Sequence, residues 1–149
     1  MPYARGWSLS VVAGLDGEAS VSTITQLRPN AAHFCSSFMV SGFTFNKDTH
    51  HGYADVSASE LPTGNGYTAN TKTLAGVVVT EDDTDDRTEV TWSSVTWTAS
   101  GGDIGPTPGA IIFDDTEAGD SIVGYIDFAG NQTQSNGGIA TIANVEFRI

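Results

Sequence analysis

Four groups of residues have types and spacings that bear on chemistry. The tract Glu81-Asp82-Asp83-Thr84-Asp85-Asp86 concentrates carboxylates, and a second cluster gathers Asp114, Asp115, Glu117 and Asp120. Calcium takes six to eight oxygens, and an EF-hand loop adds a glycine at its sharp turn and a distant bidentate glutamate. Neither cluster has that pattern, so both are expected to be solvated hairpin tips whose charge keeps strand edges apart. His50-His51, with Asp48 and Asp55 nearby, is the second group. Neighbouring residues on an extended chain point to opposite faces, so the two imidazoles are not expected to chelate one ion. His33 is distant in sequence, and surface histidines are the expectation.

Cys35 is the third candidate and the only cysteine. It forms no internal bridge and no thiolate zinc cluster. No cation sits beside it to lower its pKa, and Phe34, Phe38 and Met39 around it point to a buried, inert thiol. The fourth group is Trp92 and Trp97. A sugar platform needs exposed aromatic faces, whereas these share strands with Val90 and Val95, which marks them for the core. The sequence has no G-x-S-x-G elbow. Gly64-Asn65-Gly66 and Gly101-Gly102 lack the phosphate-loop pattern and read as turns. Asn131-Gln132-Thr133 fits a glycosylation acceptor, but the start, Met1 to Trp7, lacks the apolar stretch of a secretory signal. No enzymatic mechanism, cofactor or metal site follows from these residues.

The elements that must position these groups are mostly strands. Trp7, Leu9 and Val11 alternate with Ser8 and Ser10, and Val21–Thr25 is a weaker candidate. Phe34–Val40, Leu74–Val79, Glu89–Trp92 and Val95–Thr98 follow. Apolar parity flips across Ser93-Ser94, which predicts a bulge or tight corner. Ala110–Phe113 is apolar on both parities, as in a central strand covered on both faces. It is expected to form an antiparallel hairpin with a strand presenting Ile122, Gly124, Ile126 and Phe128 on one face and Val123, Tyr125 and Asp127 on the other. After the turn Asn136-Gly137-Gly138, Ile139, Thr141, Ala143, Val145, Phe147 and Ile149 share one parity to the last residue. One helical turn is expected at Ser57–Leu61, from the S-x-x-E spacing of Ser57 and Glu60, with Pro62 ending it.

The fold class expected is therefore all-β, a single-domain antiparallel β-sandwich or barrel with at most one short helical turn. The 149 residues suit one domain. Residues 1–42 are expected to supply strands or an arm, and 43–149 the sandwich core. Eighteen acidic against six basic residues give a net charge of −12. That balance disfavours nucleic acid and anionic membrane surfaces as partners. No apolar run reaches the length of a membrane span.

Phe43–His50, Asp55–Leu61 and Gly64–Thr68, followed by Val95-Thr96-Trp97, Ala110–Thr116 and Val123–Phe128, resemble in order and spacing a family of small structural proteins of tailed bacteriophages. The likeness runs from Phe43 to about Gly138 and does not extend over residues 1–42. It implies a non-enzymatic virion component made in the host cytoplasm, of the head or tail accessory, decoration type. A capsid decoration (cement) protein on the outer head surface is the leading expectation. Its partners would be the major capsid protein or other virion proteins and further copies of itself, with a trimer favoured. Trp7, Leu9, Val11, Phe147 and Ile149 are the expected contact residues. A tail, neck or fibre-associated protein and a carbohydrate-binding β-sandwich for host attachment are the alternatives.

Overall fold

The computed structural model describes residues 34–70, 72–116, 118–143 and 146–148. Trp7, Leu9, Val11, Val21–Thr25 and Ile149 lie outside these. The described chain is all-β, with antiparallel pairing throughout. In chain order it forms β1 (Phe34–Phe38), helix α1 (Tyr53–Val56) running into a 3-10 turn (Ser57–Ser59), β2 (Thr73–Leu74), β3 (Val78–Asp82), β4 (Arg87–Thr91), β5 (Val95–Thr98), β6 (Ile104–Asp114), β7 (Ile122–Gln134), β8 (Ile139–Ile142) and β9 (Glu146–Arg148). The sheets are ordered β2-β1-β6-β7, β3-β4-β9 and β5-β8.

The β1–β6 pair is the centre. Cys35 lies opposite Phe113 and Phe38 opposite Ala110. Ala110 to Phe113 are fully buried, as the double-parity apolar run requires. β1 is buried on both faces as well, including Ser36 and Ser37. Phe34 and Phe38 enter a larger core with Trp92, Trp97, Ile112, Ile126, Ile142 and Phe147, to which all three sheets contribute. Cys35, Met39, Ile111 and Phe113 enter a smaller core on the opposite side, closed by Val56 and the half-buried Tyr53 and Phe43. β1 thus belongs to the central sheet although it precedes Phe43, where the sandwich core was expected to begin.

Several local expectations change. Leu74–Val79 is not one strand: the chain leaves β2 at Leu74 and re-enters a different sheet at Val78. Gly76, at φ +65°, takes the left-handed turn between them. The Ser93-Ser94 corner is present, because β4 and β5 lie in separate sheets while Val90, Trp92, Val95 and Trp97 all stay buried. The final run also breaks. Ile142 is buried opposite Val95, Ile139 is 58% exposed, and Phe147 returns to the core opposite Val90. A corner in β4–β5 obliges the partner strands β8–β9 to turn with it, and the buried parity shifts accordingly. In β7, the pairing shifts register between Ile112 and Phe113, and Val123 is passed over. Ile122 therefore packs on the smaller core and Val123 on the larger, which separates Ile122 from Gly124, Ile126 and Phe128. The helical turn expected from Ser57 is present as the 3-10 turn Ser57–Ser59, but the helix begins earlier, at Tyr53, and the chain is already extended at Glu60.

Candidate functional site

The loop and helix between Val40 and Leu61 cross the outer face of the central sheet and fix most of the polar chemistry. Asp55 caps α1 backwards: its Oδ2 accepts the backbone N–H of His51 at 2.9 Å and of Gly52 at 3.0 Å. The Gly52 N–H, followed by that of His51, holds the Asp55 carboxyl below the usual range. The helix is docked by Tyr53 N–H to Asp120 O at 2.9 Å and by Ile122 N–H to His51 O at 2.8 Å. These bonds set the Tyr53 ring on Phe113, with centroids 4.7 Å apart.

Glu60 was expected to complete a capping box. It is instead 7% exposed and serves as a three-way acceptor. The Tyr53 hydroxyl donates to Oε2, the Tyr67 hydroxyl to Oε1 at 2.6 Å, and the Asn70 N–H to Oε1 at 2.8 Å. Tyr67 Oη in turn accepts the Phe38 N–H at 3.0 Å. Burial, then the Glu60 hydrogen bond and charge, push both phenols well above their ordinary range. The Tyr67 ring stacks on Phe38, which meets Trp97 at 4.4 Å between centroids. A single carboxylate thus ties the smaller core, through Tyr53 and Phe113, to the larger one, through Tyr67 and Phe38. A lone glutamate between Ser59 and Leu61 carries little pattern of its own, and the signal in the sequence is the pair of tyrosines seven residues to either side.

Beside this clamp lies a half-buried aromatic patch. Phe45 stacks on Tyr125 at 5.5 Å with planes 9° apart, while His50 stacks on Phe43 at 5.5 Å. His50 Nδ1 accepts the Asn46 N–H at 3.1 Å, which closes the loop under the rings. His51 is exposed, and the two imidazoles have separate surroundings. Burial and then Asp127 push the Tyr125 phenol up to about 12.

The remaining candidates occupy ordinary structural places. Cys35 is 3% exposed, and its Sγ donates to Asp115 Oδ2 at 3.5 Å. Burial and then the Asp115 charge push the thiol up to about 11, away from nucleophilic use. Glu81 ends β3 with Asp82, and Asp83–Asp86 form the exposed turn into β4. Arg87 bridges Asp85 at 3.0 Å and Glu89 at 2.9 Å. Among the described residues no three His, Cys, Asp or Glu side chains are grouped to hold one metal ion. Trp92 and Trp97 are buried and present no face to a sugar. Phe147, expected at a contact surface, is 3% exposed. It packs edge-on against Trp92 at 4.8 Å, so it serves this chain's own core.

The turns Gly64–Tyr67, Ser100–Asp103 and Ser135–Gly138 converge at one end. Asn65 Nδ2 donates to Asp103 O at 2.9 Å, Asn136 N–H to Asp103 Oδ1 at 2.8 Å, and Gly101 N–H to Asn136 Oδ1 at 3.1 Å. These turns clamp one another through backbone groups. No family model, curated protein or solved structure matched the chain in the comparisons.

Proposed function

We propose that the protein is a non-enzymatic structural component of a tailed-phage virion, most specifically a capsid decoration protein. It binds across capsid subunit boundaries on the outer head surface and stabilises the head by favouring the assembled state. The observation that carries this reading is the Glu60 clamp. The stretches that resemble the phage family, 43–50, 55–61, 64–68, 95–97, 110–116 and 123–128, are spread along the sequence, yet they meet around Glu60, Phe38 and Phe113. Their order is thus the order of one packed unit. The acidic surface suits the outside of a shell better than a face turned to packaged DNA.

The contact face in this reading is the patch of Phe43, Phe45, His50 and Tyr125. Half-exposed aromatics supply large contact area at small entropic cost and dominate binding where they are buried by a partner. Phe45→Ala is expected to weaken binding to undecorated heads by roughly thirtyfold, the effect of an aromatic hot spot, while cooperative melting persists. Unchanged binding in a co-sedimentation assay would move the contact to another face.

A further inference from the structure

β1 carries a polar pair inside an otherwise apolar strand. Ser36 is 2% exposed and Ser37 is fully buried, and the two face opposite ways. Ser37 lies opposite Ile111, which packs in the smaller core. Ser36 lies opposite Ile112, on the face that carries Phe34 and Phe38 into the larger core. The Ser36 N–H donates to Lys72 O at 2.9 Å, which holds the residue in the sheet. Its hydroxyl has no hydrogen-bond partner among the described residues.

The residues on either side of Ser36 bring two tryptophans to it. Phe34 meets Trp92 edge-on with centroids 5.4 Å apart, and Phe38 meets Trp97 at 4.4 Å. Phe34, Ser36 and Phe38 project from one face of one strand, so Ser36 stands between these two ring pairs. Trp92 and Trp97 are 5% and 4% exposed, and the indole Nε1 of each is also without a partner among the described residues. Buried hydroxyls and indole N–H groups nearly always find a partner, because the water they lose on burial must be replaced. Here three such groups flank one short stretch of strand.

Their chemistry selects the occupant. The two indole N–H groups only donate, while the serine hydroxyl both donates and accepts. The complement must therefore accept twice. A water molecule does so with its two lone pairs and donates in turn to Ser36 Oγ, making about the three hydrogen bonds usual for a buried water. A small anion also accepts twice. Lys72 Nζ, however, stands over the face of the Trp97 ring, 5.5 Å from its centroid, whereas the N–H lies in the ring plane. An anion on the N–H would be buried without a direct counter-charge, at heavy cost.

We propose that the larger core binds internal water between Phe34 and Phe38, held by Ser36 Oγ and by the indole N–H groups of Trp92 and Trp97. This gives the hydroxyl in a strand buried on both faces a use that alanine could not fill. It does not depend on the virion reading.

The test is a crystal structure of the full native chain at a resolution that shows ordered water. Water is expected within about 2.7–3.2 Å of Ser36 Oγ and of each indole nitrogen, directly or through one second water. A dry site, an ion in it, or indole N–H groups paired with other protein groups overturns the proposal. In solution, magnetic relaxation dispersion of the water oxygen reads long-lived internal water. Ser36→Val sets a methyl group in place of the hydroxyl and is expected to lower that signal by about one molecule. An unchanged signal from the folded variant also overturns the proposal, and the crystal structure decides without the variant should it fail to fold.

Discussion

Glu60 shows how a residue's neighbours decide its role. A carboxylate buried beside apolar rings is costly unless its oxygens are satisfied. Here two phenols and a backbone N–H supply the donors, and no cation is among the bonds that hold it. Hydrogen bonds to a charged acceptor contribute about 1.5–3 kcal/mol each. Glu60→Ala would strand two phenols and an N–H and loosen the link between the cores, so a loss of about 3 kcal/mol is expected in urea unfolding. A loss under about 1 kcal/mol would mean that water satisfies these groups equally well. Cys35 and the two tryptophans were legible as core residues, because each sits in an apolar run. Glu60 was not, because its two phenol partners lie seven residues away on either side, one opening α1 and one closing the Gly64–Tyr67 turn, and no single period links them.

At the level of elements, strands with one clear buried face or two were legible: β1, β6 and the β4–β5 corner all follow from apolar parity. The misreadings cluster where the chain changes sheets or bulges. Gly76 splits an apolar run that reads as continuous, and the β8–β9 break is dictated by the corner in its partners rather than by its own residues. Turn packing was equally hidden. Gly66 holds φ at +87°, and a Cβ there would stand 1.9 Å from the Thr98 carbonyl oxygen. Gly66→Ala must push the Gly64–Tyr67 turn off β5, carrying Tyr67 with it. A destabilisation of at least about 2 kcal/mol is expected from the backbone conformation and the clash together, read as a lowered melting midpoint. A neutral result would show that the turn is not held against the strand.

For the whole molecule, the described residues put their strongest polar interactions to structural use. Asp55 caps, Glu60 clamps, Asp103 and Asn136 lock turns, and Arg87 spans its own hairpin. What faces outward is an aromatic patch, Val78 and Val79 of β3 and acidic loops, features suited to adhesion. Amino-acid patterning conveyed the all-β class and the direction of charge, since both are sums over many residues. The placement of the aromatic patch was not legible, because it joins a loop at 43–50 to Tyr125 across the sheet. The central proposal is that the protein coats a phage head, and the direct measurement is its stoichiometry in purified phage particles, by quantitative mass spectrometry against the major capsid protein. A decoration protein is predicted at a copy number comparable to that of the capsid subunit, while a handful of copies, or none, would contradict the account.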